Sequence, residues 1–147
     1  MEENRKYELV EDDFILHEGK KLYRIKALKR FITFLGTIRR GDIGGYVEGY
    51  HNLSQEDYCW IFNDAKVYGN ARIEDYATVA GGAEVFGNAV LKEDANVHEN
   101  SQVYGNAIIE KNTNVTNSKV YGNAVLKSYS FGKVDNVDVC NNTIIFK

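Results

Sequence analysis

The chain has 147 residues, 44% of them hydrophobic, and a formal net charge of −3. That length gives one domain, or one small domain with an appendage, able to bury a real core, and the mild acidity argues against a general nucleic-acid or membrane-surface binder. No apolar run is as long as a bilayer requires, and the charged start MEENRKYELVEDD lacks a secretory pattern, so the expected compartment is the cytoplasm.

Residues 1–52 are expected to form an N-terminal β-rich cap. The stretch FILHEGKKLYRIKAL reads as a hairpin, with strands at Phe14–His17 and Leu22–Leu28 around a Glu18-Gly19 turn. Behind it, Lys29, Arg30, Arg39 and Arg40 are a candidate basic contact surface, with a solvated loop as the alternative. Gly41 to Gly45 are turn-rich.

From Cys59 the chain becomes periodic. Aliphatic residues recur every sixth position at Ile61, Val67, Ile73, Val79, Val85, Leu91, Val97, Val103, Ile109 and Val115, and two residues before each stands a small one, Cys59, Ala65, Ala71, Ala77, Ala83, Ala89, Ala95, Ser101, Ala107 and Thr113. After a one-residue slip the rule resumes with Ser118/Val120 and Ala124/Leu126. Six residues advance an ideal helix by about 600°, which scatters the apolar positions over different faces. A short strand with two inward side chains followed by a corner accommodates them all. The phrase YGN or FGN returns at residues 68, 86, 104 and 121, so three hexads make one coil. Its Gly-Asn pairs are read as corner residues that tolerate positive φ. Without a following helix they are not a phosphate cradle.

The outward positions distinguish the faces. Tyr68, Phe86, Tyr104 and Tyr121 form one column, and Arg72, Val90, Ile108 and Val125 form another across the Gly-Asn corner. This edge, with Val90, Ile108 and Val125 beside the aromatic residues, is the candidate partner or oligomer interface, because exposed apolar stripes mark contact surfaces. Cross-strand stabilisation of neighbouring coils is the alternative. The third face, with Thr78, Asn96 and Asn114 beside Ala80, His98 and Thr116, reads as ordinary solvated surface. Asp57, Asp75, Glu93 and Asp94 belong to an acidic edge of the first coils, read as solvated surface, with nucleic-acid mimicry or a weak cation site as alternatives.

Other chemistry is sparse. Cys59 and Cys140 are far apart and suggest buried free thiols. His17, His51 and His98 form no recognisable ligand set or catalytic pair, so neither a metal nor a cofactor is expected. At the far end, VDNVDVCNNTIIFK reads as a hairpin of Val137–Cys140 and Thr143–Phe146 around Asn141-Asn142.

From about Cys59 to Ser128 the hexads resemble the hexapeptide-repeat, left-handed parallel β-helix family. The resemblance implies an all-β fold of about four coils of 18 residues, stacked about 4.8 Å apart. The expected organisation is a cap at 1–52, a left-handed β-helix at 53–130, and a C-terminal hairpin at 131–147 that caps the last coil or pairs with another subunit. The absence of proline agrees with an uninterrupted hydrogen-bond ladder. Around the start of the regular hexads, Gly44, Gly45, Tyr46, Asn52, Leu53, Ser54, Gln55, Cys59, Trp60 and Ile61 are similar to the corresponding residues of a group of bacterial and phage or prophage YGNA-repeat proteins that have no common activity.

Many hexapeptide-repeat proteins are trimeric acyltransferases with a catalytic histidine near a subunit interface and a loop leaving a coil, and others hydrate carbon dioxide with a metal held by several histidine ligands spaced over the coils. No insertion interrupts the hexads here, and the three histidines do not match either pattern. The expected function is a non-enzymatic protein-binding module, dimeric or trimeric, whose partner is itself or a host protein. With the phage-like residues between Gly44 and Ile61, one such partner is a bacterial immune complex of the CRISPR type, blocked by occlusion. The alternatives are a divergent acyltransferase-like enzyme acting on a sugar or amine, and a purely structural assembly module.

Overall fold

The computed structural model describes residues 4–146. The chain opens with an antiparallel hairpin of β1 (Tyr7–His17) and β2 (Lys20–Ala27), whose two-residue turn puts Glu18 at φ 50° and Gly19 at φ 81°. Positive φ at both positions gives a turn whose twist suits paired strands. A short second hairpin follows, β3 (Phe31–Thr33) and β4 (Gly36–Ile38), and then β5 (Ile43–Val47). β5 pairs antiparallel with β2 on one side and parallel with Lys66–Val67 on the other, so it ends the N-terminal cap and also begins the coils.

Beyond β5 the molecule is a parallel β-solenoid. One face carries six parallel rungs: β5, Lys66–Val67, Glu84–Val85, Gln102–Val103, Lys119–Tyr121 and Val139–Cys140. The second face stacks Arg72–Ile73, Val90–Leu91 and the starts of Ile108–Thr116 and Val125–Asp135. On the third lie Trp60–Ile61, Thr78–Val79, Asn96–His98 and the later halves of those two long strands. Main-chain bonds run from coil to coil, as in Tyr68 N to Val85 O at 3.0 Å and Asn70 N to Gly87 O at 2.8 Å.

Three columns of positive-φ residues mark the corners. They are Asp57, Asp75, Glu93 and Lys111; Asn63, Gly81, Glu99, Asn117 and Asn136; and Gly69, Gly87, Gly105, Gly122 and Asn141. Every aliphatic residue of the six-residue series, from Ile61 to Leu126, is fully buried, and so are the small residues two positions before. The interior is one continuous apolar cluster that reaches from Tyr7 and Phe31 to Val139.

Three expectations need correction. The C-terminal segment is not a hairpin: Val139–Cys140 pairs in parallel with Lys119–Tyr121, and Thr143–Phe146 pairs in parallel with Val125–Ser128 on a different face. Asn141, at φ 60°, turns a solenoid corner where a hairpin turn was expected. With this coil and the one begun by β5, the stack has six rungs where four coils were expected. The third face is also not ordinary solvated surface, since Thr78, Ala80, Asn96, Asn114 and Thr116 are all buried. Phe34 and Leu35 of the second hairpin, with Phe131, wall a cleft along this face together with Asn96, Asn114 and Thr116, and the Thr78 hydroxyl bonds to Asn96 Oδ1.

The junction between cap and coils is held by a buried lysine. Lys6 Nζ donates to the carbonyl of Cys59 at 2.7 Å and to that of Glu56 at 3.4 Å, and lies 3.2 Å from the Cys59 sulfur. Burial pulls the ammonium below its ordinary range, partly offset by Cys59, and pushes the Cys59 thiol up. Lys6→Ala leaves a buried carbonyl without its donor and a cavity at the junction. It is expected to cost about 2–4 kcal/mol, read as a lower urea midpoint.

Candidate functional site

The aromatic column follows directly from the coil register. Val67, Val85, Val103 and Val120 point inward, so the next residue in each rung points out, and coil-to-coil pairing places the four rings above one another. Centroid spacings are 5.0, 4.9 and 5.1 Å, with ring planes 3–4° apart. Near-parallel stacks of this kind add about 0.5–1.5 kcal/mol per pair beyond the area they bury. The four rings are not equally open. Phe86, Tyr104 and Tyr121 are half-buried, whereas Tyr68 is only 4% exposed, packed with Leu22 and Tyr46 and covered by the His17 ring at 5.1 Å.

On the adjoining face Val90, Ile108 and Val125 lie in direct register and are likewise half-buried, and the exposed Arg72 begins the column. The ridge between the two columns is polar. Asn70 Nδ2 donates to Asn88 Oδ1 at 3.2 Å, Asn88 to Asn106 at 3.1 Å and Asn106 to Asn123 at 3.2 Å, giving an exposed amide ladder. The surface is therefore an aromatic strip and an aliphatic strip on either side of an asparagine crest.

The acidic residues have a local structural role. Asp57, Asp75 and Glu93 occupy the first corner column, where the backbone is left-handed, a conformation that aspartate tolerates better than most residues. Asp75 Oδ2 accepts from the Glu93 amide at 2.9 Å, and Glu93 pairs with Lys111, which takes the same corner one coil later, at 3.4 Å. Asp94 is exposed beside Tyr58 and Tyr76. The column therefore ends on a cation.

The basic residues are brought together. Pairing of Phe31 with Ile38 puts Lys29-Arg30 and Arg39-Arg40 at the same end of the second hairpin, and all four are exposed. At the opposite end the hairpin tip shows Ile32, Phe34 and Leu35, with Phe34 66% exposed, near the exposed rings of Tyr58 and Tyr76. Sequence reasoning did not single out this apolar patch. The signal available was the run FITFL, too hydrophobic for an ordinary solvated loop.

The histidines separate. His51 lies at the cap–coil junction, 2.8 Å from the Gly69 carbonyl, and His98 stands beside Glu99 at the edge of the third-face cleft. The surroundings of His17 have no signal in the sequence. It closes on Glu84, 67 residues away, with Nε2 to Oε1 at 3.2 Å. Tyr68 donates to the same carboxylate oxygen at 2.9 Å, and burial, then this hydrogen bond, push its phenol well above the usual range.

Fold and surface together define a parallel β-solenoid with an aromatic and an aliphatic strip on its outside. No helix among the described residues is long and apolar enough to cross a membrane. No family model and no curated protein matches the chain.

Proposed function

We propose that the protein is a non-enzymatic docking scaffold that acts in the cytoplasm and binds a protein partner through its aromatic and aliphatic strips. The six-residue inward period supports placing it with the left-handed hexapeptide solenoids. The likeness of residues 44–61 to phage and prophage YGNA-repeat proteins supports a host factor, such as an immune complex, as the partner. Self-association uses the same surface. The observation that carries the reading is the half-exposed, parallel-stacked trio Phe86, Tyr104 and Tyr121, held on a rigid sheet. Rigid aromatic anchors contribute contact area at little conformational cost and dominate interface energetics.

A second reading places the contact on the hairpin tip, favoured by the greater exposure of Ile32, Phe34 and Leu35 and the four cations at the hairpin base. Two variants separate them. Tyr104→Glu is expected to weaken capture of a stoichiometric partner from a bacterial lysate, or dimerisation seen by light scattering, by about 30-fold or more, while Phe34→Asp leaves both unchanged. The reverse outcome moves the site to the hairpin. If wild-type protein stays monomeric and captures nothing, the docking reading fails.

A further inference from the structure

Where the first hairpin's turn meets the solenoid, four polar side chains converge. His17 Nε2 lies 3.2 Å from Glu84 Oε1, 3.4 Å from Glu18 Oε2 and 3.3 Å from the Tyr68 hydroxyl. The His17, Glu18 and Glu84 atoms all fall within 4.8 Å of one another. An imidazole N–H has a single proton and cannot satisfy three acceptors at once. Two carboxylates also share this spot, and among the described residues His17 is the sole basic group within ion-pair reach of either. The cluster is over-supplied with electron pairs and short of positive charge.

We propose that His17, Glu18 and Glu84 bind a divalent late first-row cation, of which Zn²⁺ is the representative. Zinc holds nitrogen and oxygen donors at about 2.0–2.2 Å, so the edge of its coordination tetrahedron is about 3.4 Å. The two His17–carboxylate separations already match that edge. The third edge, Glu18 to Glu84, closes by rotation of the Glu18 side chain, which is 72% exposed at the turn tip. Imidazole with carboxylates suits zinc and its neighbours better than calcium or magnesium, which favour all-oxygen shells. Tyr68 remains outside the coordination sphere, its hydroxyl fixing Glu84 Oε1 as outer partners of metal ligands commonly do. The fourth position is left to water. Bound metal ties the hairpin turn to the second coil rung beyond β5 and locks the hairpin over Tyr68, at the end of the aromatic strip.

The test uses the full chain, titrated with Zn²⁺ by calorimetry and with Co²⁺ by visible absorption. Wild-type protein should bind one equivalent and gain thermal stability with Zn²⁺. His17→Gln should abolish binding, and Glu18→Gln, which alters only an exposed turn residue, should weaken it at least tenfold and reduce the thermal shift. His98→Gln should behave as wild type. Wild-type protein that takes up neither metal at sub-millimolar concentration overturns the site. So does binding that survives Glu18→Gln unweakened, or that is lost in His98→Gln.

Discussion

Gly105→Val is expected to destabilise the protein by about 3 kcal/mol or more, seen as a fall in the urea midpoint together with loss of near-ultraviolet ellipticity from the stacked rings. Gly105 sits at φ +69°, and a Cβ there would lie 2.8 Å from the Gly122 amide nitrogen and 3.1 Å from its carbonyl oxygen. Left-handed backbone costs a non-glycine residue roughly 1–2 kcal/mol, more when it is β-branched. The clash is with main chain, so no side-chain rotation relieves it. Opening the coils would break the 2.8 Å bond from Asn106 N to Gly122 O and separate Tyr104 from Tyr121. Gly105→Asn should fall between wild type and valine, since asparagine tolerates the backbone conformation but still presents a Cβ to the next coil. Asn141 takes the same corner in the last rung, where none of the described coils stacks against it.

Trp60→Ala should cost about 3–5 kcal/mol. The indole is almost fully buried, its edge set against Phe31 at 5.3 Å and Tyr7 at 6.3 Å, so one side chain joins both N-terminal hairpins to the first coil. Around it the Tyr7 hydroxyl donates to the Leu53 carbonyl at 2.5 Å. Its loss should loosen the cap before the later coils, because solenoid coils draw their stability from immediate neighbours. Limited proteolysis is expected to cut first between residues 28 and 42. Trp60→Phe, which retains most of the apolar volume, should restore most of the midpoint.

The interior was legible because every hexad sees the same environment. The inward residue of each is aliphatic for one reason repeated, and a period of six follows from it. Hidden features depend on contacts remote in sequence or on repeats that decay. Nothing in a linear reading brings Phe34 and Leu35, at the tip of the second hairpin, to the cleft that Asn96 and Thr116 line. Nor does it bring His17 to Glu84. The last coil is concealed because Cys140-Asn141-Asn142 stands where earlier coils have Tyr-Gly-Asn, and because strand pairing shifts register between Lys111 and Thr113. The charged corner at 57, 75, 93 and 111 was open to detection by its step of eighteen, and including Lys111 in that column would have shown that the acidic edge is not uniform.

Inside and outside count in different moduli. The core repeats every six residues and the surface every eighteen, so the two respond differently to insertions. An extra hexad keeps an aliphatic residue and a small residue pointing inward but shifts all later residues by one face, moving Tyr104 and Tyr121 out of line with Phe86. An extra eighteen, such as a second copy of residues 84–101, adds a ring, an asparagine and a glycine corner to columns that already exist. Gene duplication can therefore lengthen this molecule without erasing its surface pattern only in steps of a whole coil, and a slip of one hexad yields a foldable chain with a rewritten exterior.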